Sequence, residues 1–560
     1  MRLFFFTFSV VFQFLVLSDV VGRSVSNWTL GWWLTSMLLL FAAFPFRRKK
    51  ETITQEKIGF WVFLIIILAL GVRIVLMRNT DAFHNDEYLS AYFSYSLGDL
   101  SKVDWFGIYP LPRDWIWQFP ILYFFFQKLF FNIFGISTLT MRLSIIPYLV
   151  VVFVSLFLIA RRLYTKEAAY LAIFILAFFS PDLYLTRWAL HFISCTAFFL
   201  LTTGFIIKSV EVGRRRDFAL AGFFLGLCYM SYASSFLAAP LIFFYIVVIL
   251  IKRGVQRPVA VNFLLTAGMF VYTISPLATY ALKVENFLVT RVNQIKLING
   301  SWGHYHGLQI ISKQTFEVVK NQAVLSIKSL YTDGIGGAGG YLFGNLALFD
   351  RLTFLFIVFS LFYFLYKIIK RKEVNGLFLL MVVLATFVAG MVLTIPPPAF
   401  QRISLAFPFL CLLIAVTMTD LYRLVVQKQK LVAVSLLLVF ASSLLISNGI
   451  HFRKILAKDG PDDPDYPQIL EYLNQQNERR FYVAAFESYG MGKILFIMSR
   501  GRVTAITLPL EEVLAIIPSY RRSSLVILYP TPEAIQKVRE RFPQARMVAN
   551  YQKHALVRIN

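Results

Sequence analysis

The segment His84-Asn85-Asp86-Glu87-Tyr88 places an imidazole and two carboxylates side by side. Acids are scarce elsewhere: the 560 residues hold 30 Asp and Glu against 55 Lys and Arg. A carboxylate set beside a hydroxyl can take its proton, the task of a general base. Asp86 is the candidate for that base, with Glu87 as helper or alternative. Neighbours on a helix point about 100° apart, so at most one of the two faces a given site. The run from Glu87 to Tyr92 reads as a helix start, and acidic residues in a first turn also serve the helix dipole. His84 could ligate a divalent metal ion or only orient the carboxylate, so a metal cofactor stays open.

Three arginines form a second group. Arg187 follows Ser180-Pro181, Arg291 closes the run that starts at Glu285, and Arg402 follows Pro396-Pro397-Pro398. Arginine at an outer interface also snorkels toward headgroups. Taken together with a carboxylate they suit a lipid-anchored phosphate or pyrophosphate, because guanidinium pairs with phosphate bidentately. His304-Tyr305-His306 lacks a third ligand, and the glycines at 334–340 lack the Gly-Lys-Ser/Thr of a P-loop.

The elements that must position these groups are membrane helices. The chain is 58% hydrophobic and 17% aromatic, with a mean hydropathy of +0.66. That composition is a polytopic α-helical membrane protein. The net charge of +25 does not signal nucleic acid. Arg47 to Lys50, Arg161-Arg162, Arg214 to Arg216, Lys252-Arg253 and Lys367 with Lys370 to Lys372 cap apolar runs at alternate loops. This is the positive-inside pattern. The three cysteines, Cys195, Cys228 and Cys411, sit in apolar runs and read as core residues.

About thirteen spans are expected. The N-terminus, read as a retained helix and not a cleaved leader, is then cytoplasmic and the C-terminus extracytoplasmic, in the plasma (inner) membrane. Residues 1–57 hold two helices ahead of a transmembrane domain over 58–450. Its outer loops cover 78–136 and 281–350. The run Phe119 to Phe134 is short for a span and reads as a helix lying in the interface. Beyond Pro461-Asp462-Asp463-Pro464-Asp465, taken as a linker, residues 458–560 alternate strand and helix patterns. They predict a small extracytoplasmic α/β domain.

Several segments then fall in a telling order. Asp86-Glu87 comes after an early helix. Phe119-Pro120-Ile121-Leu122-Tyr123 leads through Phe134-Gly135 to Met141-Arg142-Leu143-Ser144. Ser180-Pro181 precedes Arg187-Trp188-Ala189, Gly226 to Tyr232 follow, and Pro396 leads through Arg402 to Pro408. In this the chain resembles the GT-C membrane glycosyltransferases. The resemblance is to the branch of glycosyltransferase family 39, with protein O-mannosyltransferases and lipid A aminoarabinose transferase as relatives. It departs in keeping only Pro120 of a Pro-Pro pair and in lacking an arginine near Tyr232. The resemblance implies a GT-C fold, a polyprenyl-phosphate sugar donor, a lipid, glycan or protein acceptor, and inversion at the anomeric carbon. It implies a hexosyl- or pentosyltransferase with Asp86 as base and Arg402, Arg187 and Arg291 on the donor phosphate. The alternative is a transporter or flippase of lipid-linked saccharides. Such a protein would carry ionisable groups at mid-membrane and repeated halves. Here the mid-helix positions read as apolar.

Overall fold

A computed structural model of the chain describes all residues except 23–24, 45–58, 79–81, 98–119, 121, 254–256, 284–291, 299, 301–307, 309–311, 336–340, 342, 486–489, 518–522 and 560. The protein is a helical bundle carrying a small sheet domain at its C-terminal end. In order, the first helices are α1 (Arg2–Gly22), α2 (Asn27–Ala43), α3 (Phe60–Met77), α4 (Asn85–Ser96), α5 (Leu122–Phe134), α6 (Thr138–Leu143) and α7 (Ile146–Leu163). Next come α8 (Lys166–Phe178), α9 (Ser180–Leu185), α10 (Phe192–Val212), α11 (Arg215–Tyr229), α12 (Ala238–Arg253) and α13 (Arg257–Lys283). The bundle closes with α14 (Lys313–Ser329), α15 (Arg351–Arg371), α16 (Val374–Phe387), α17 (Phe407–Val426) and α18 (Lys430–Lys458).

Ten of the described helical segments are long and apolar enough to cross a bilayer. Three more helices expected as spans, α2, α8 and α11, have 17, 13 and 15 residues. The span Phe400–Val426 is buried along nearly its whole length and forms the centre of the bundle. α5 has 13 residues, with Tyr123, Phe124, Gln127 and Phe131 buried and Ile133 and Phe134 exposed.

Small and polar residues let these helices approach without a hydrophobic drive between them. Gly222 and Gly226 are four apart on α11, and a Cβ on either would collide with Thr266 or Thr273 of α13. α1 and α2 attach to α13 through Tyr272, whose hydroxyl lies 2.8 Å from Ser9 Oγ and 2.7 Å from Ser36 Oγ. Two of the spans carry buried cations near their ends. Arg73, four residues from the end of α3, is fully buried and meets Asp182 at 2.5 Å. Near the other end of the bundle Lys367 bridges Glu373 and Asp420, each at 3.0 Å. The basic clusters gather at that same end: Arg162 pairs with Glu211 at 2.6 Å, and Lys252 Nζ donates to the Lys372 carbonyl at 3.4 Å.

The C-terminal domain contains α19 (Asp465–Gln475), β1 (Arg480–Ala484), α20 (Met491–Met498), β2 (Thr504–Leu508), α21 (Leu510–Ile516), β3 (Ser523–Leu528), α22 (Pro532–Arg541), β4 (Arg546–Asn550) and β5 (His554–Ile559). Its strands pair in the order β2-β1-β3-β5-β4. β1 runs parallel to both β2 and β3, while β5 is antiparallel to β3 and β4. The Pro-Asp segment read as a linker is instead a docking piece. Asp463 and Asp465 are buried, and the Asp462 amide donates to the Phe83 carbonyl at 3.1 Å. α20 lies against α4: the Phe496 ring sits 5.5 Å from Tyr92 and 5.0 Å from Tyr95.

Candidate active site

The acidic cluster opens α4, and its residues divide the work. His84 is the N-cap: its backbone is extended and its Nδ1 accepts the Asp86 amide at 3.1 Å. Such a cap satisfies one of the orphan donors of a first turn. Asp86 and Glu87 then leave the helix in different directions, as the helical offset requires.

Glu87 is fully buried. Arg142 grips it bidentately, Nη2 to Oε1 at 2.5 Å and Nε to Oε2 at 3.1 Å. The Ala189 amide donates to Oε2 at 3.2 Å. Arg142 also donates to the carbonyls of Met77 at 3.2 Å and Ala82 at 3.3 Å, and it stacks over Trp188 at 4.9 Å. With three donors on its carboxylate, Glu87 is a structural anchor that ties α4 to α6 and to the turn before α10.

Asp86 faces the other way, with 37% of its side chain exposed. The Tyr341 hydroxyl donates to Asp86 Oδ2 at 3.4 Å, and the His84 ring stacks on Tyr341 with centroids 4.2 Å apart. Burial first, and then the Asp86 charge, push the Tyr341 phenol well above its ordinary range. It therefore keeps its proton and acts as a donor at neutral pH. Asp462 completes the surround: its Oδ2 accepts the Asn85 amide at 2.8 Å and lies 3.5 Å from His84 Nδ1. Burial raises the Asp462 carboxyl, with His84 opposing that shift.

The arginines take different positions. Arg402 is buried and its Nη2 donates to the Ile395 carbonyl at 3.1 Å. It lines a cavity of about 240 Å³ together with Lys296, Tyr232, Ser234 and Thr394. One ring separates the cavity's Tyr232 from Tyr341, the partner of Asp86. The Phe192 ring lies 6.4 Å from Tyr232 and 6.3 Å from Tyr341, and Tyr232 is close enough to act electrostatically on Tyr341. Arg187 is elsewhere. It is buried between Tyr184 and Trp188, 4.6 and 3.9 Å from their ring centroids, and it pairs with Asp459. Tyr184 donates to the same Asp459 at 3.2 Å. The Arg187 guanidinium is thus committed to holding the C-terminal segment. Arg291, His304, His306 and residues 336–340 of the glycine run lie outside the described residues.

A metal at His84 does not fit well, because Nδ1 already serves as the acceptor of the helix cap. The metal-ligand spacing found among the described residues is at Asp463, Asp465 and His554, all buried where the domain meets the bundle. There His554 Nδ1 lies 2.7 Å from Asp465 and Lys553 Nζ lies 3.6 Å from Asp463. Sequence reasoning had passed over Tyr341, Asp462 and Lys296. Lys296, a basic residue between two apolar spans, is the one with a visible signal.

Solved structures share this overall fold. The ArnT protein of Cupriavidus metallidurans, solved bound to undecaprenyl phosphate, superposes with a TM-score of 0.55 at 12% identity. The match covers 89% of this chain and 98% of that one. The chain has the GT-C fold. The oligosaccharyltransferase of Archaeoglobus fulgidus superposes on this GT-C chain with a TM-score of 0.52 at 13% identity over 81% of its residues. The chain spans 65% of the length of that enzyme. The same archaeal enzyme, AglB, has been solved with an inhibitory peptide and a dolichol-phosphate, matching at a TM-score of 0.50 and 14% identity over 80% of this chain and 64% of that one. It has also been solved with Zn and sulfate. Residues 118–280 match the family described as dolichyl-phosphate-mannose-protein mannosyltransferase. That stretch carries Arg142, Arg187 and Tyr232. No curated protein sequence matches the GT-C chain.

Proposed function

We propose that this GT-C protein is an inverting glycosyltransferase. It moves a sugar from a polyprenyl-phosphate carrier to an acceptor hydroxyl on the extracytoplasmic side of the membrane. The observation that carries the reading is a half-open carboxylate, Asp86, held by Tyr341, which is one ring removed from a cavity lined by Arg402 and Lys296. Relatives of the same fold solved with dolichol-phosphate and undecaprenyl phosphate supply the class of donor.

In this mechanism Asp86 accepts the acceptor's hydroxyl proton as the oxygen attacks the anomeric carbon. The bond from that carbon to the phosphate oxygen breaks, and polyprenyl phosphate leaves with the electron pair. Arg402 and Lys296 offset the charge that grows on the phosphate. Tyr341 and His84 hold Asp86, and Glu87 fixes α4 through Arg142. Arg291 stays a candidate for the donor phosphate. Arg187 is read as a brace for Asp459 and no longer as a donor contact. No step is routed through a metal.

Two outcomes test the assignments. Arg402→Ala should raise KM for the donor roughly 10- to 100-fold, the worth of one charge-assisted hydrogen bond. The assay is transfer from a panel of polyprenyl-phosphate sugars in liposomes, and an unchanged KM would remove Arg402 from the phosphate site. Tyr341→Phe, which deletes one neutral donor to Asp86, should lower kcat/KM about fivefold. Its thermal unfolding in detergent should stay close to that of the parent.

A further inference from the structure

A second cavity, of about 1040 Å³, opens between the end of α14, the start of α15 and the last turns of α18. This is at the top of the range of roughly 300–1,000 Å³ typical of ligand pockets. It lies apart from Asp86 and Arg402, and the proposed transfer makes no use of it. α18 has 29 residues, about 43 Å at 1.5 Å per residue, against a hydrocarbon core of about 30 Å. Its C-terminal turns, with His451, Arg453, Lys454 and Lys458, are its polar part, and His451 and Lys454 line the cavity.

Its walls are graded in the same way. Leu355 and Ile450 are large apolar side chains, 62% and 53% exposed, with Phe354 beside them. Beside the exposed Asp333, the exposed cations Arg351 and Lys454 stand at the rim. Neither forms an ion pair among the described residues. Asp350, which is nine-tenths buried, also lines the cavity. Its Oδ1 caps α15 by accepting the Thr353 amide at 3.0 Å and also accepts the Ser447 hydroxyl. Its Oδ2 is buried with no hydrogen-bond partner. An acceptor left in that state is destabilising unless something donates to it.

We propose that this groove binds one membrane phospholipid with an aminoethyl phosphate headgroup. The phosphate lies between Arg351 and Lys454, the ammonium donates to Asp350 Oδ2, and the acyl chains run along Leu355 and Ile450. A purely anionic lipid would satisfy the cations but bring its charge toward Asp350. A choline headgroup has the positive charge but no N–H to donate.

The test is native mass spectrometry of the full-length protein released from nanodiscs of equal parts phosphatidylethanolamine, phosphatidylglycerol and phosphatidylcholine. One phosphatidylethanolamine should be retained in preference to the other two. Lys454→Glu should lower that retention about thirtyfold, given roughly 1 kcal/mol per basic residue at a membrane surface and twice that on charge reversal. Leu355→Trp, which fills the apolar wall, should lower it as well, and thermal unfolding of both variants serves as the folding control. Preferential retention of phosphatidylglycerol or phosphatidylcholine would overturn the headgroup assignment. Retention unchanged in both variants, or no lipid retained by the parent, would overturn the site.

Discussion

Asp86→Asn is expected to lower the turnover of sugar transfer by about 10²–10⁴-fold, the usual worth of a positioned general base. The amide keeps the size and the hydrogen bond from Tyr341 but cannot take a proton. Glu87 cannot stand in for it, because its carboxylate is buried and occupied by Arg142 and the Ala189 amide. Folding should be little affected. Asp86 is partly exposed, and a first-turn acid adds only about 0.3–1 kcal/mol through the helix dipole. Turnover is read at saturating donor, so that the loss is in kcat and not in donor binding. A variant with the parent's kcat would remove Asp86 from the chemistry.

Arg142→Met should have the largest effect on stability. The side chain is nearly isosteric in its stem, but it leaves Glu87 charged, buried and without its partner. Breaking a buried pair in this way costs about 3–5 kcal/mol. The carbonyls of Met77 and Ala82 lose their donor at the same time. Thermal unfolding in detergent should show a marked drop, with loss of yield from the membrane fraction. Adding Glu87→Gln to Arg142→Met should restore part of the loss, since the uncompensated charge is then gone. Equal stability of the parent and Arg142→Met would contradict the anchoring role given to Glu87.

Much of this fold can be read from local pattern. The strand-like runs at 481–486, 503–508, 524–529, 546–550 and 555–559 each overlap a strand. Met491–Met498 carries no clear helical signal in the sequence, because eight residues are too few to show a helical period. The split between Asp86 and Glu87 follows from helix geometry, but which one is buried does not. That depends on Arg142, 55 residues away, and on Tyr341, 255 residues away. The Pro-Asp segment misled for the same reason. Its composition is that of a solvated linker, whereas Asp462 finds the Asn85 amide 377 residues back along the chain. Arg187 and Arg402 look alike in sequence. Packing alone separates them, one against Asp459 and the other beside the cavity with Lys296.

The account rests on bond cleavage at a membrane-anchored phosphate. The direct measurement is to reconstitute the purified protein in liposomes with a polyprenyl-phosphate sugar labelled in both sugar and lipid, and to follow the two labels together. The account predicts free polyprenyl phosphate appearing in step with sugar on the acceptor, with both lost in Asp86→Asn. Intact sugar lipid moving from one leaflet to the other, with no polyprenyl phosphate released for any sugar in the panel, would contradict it and identify a transporter.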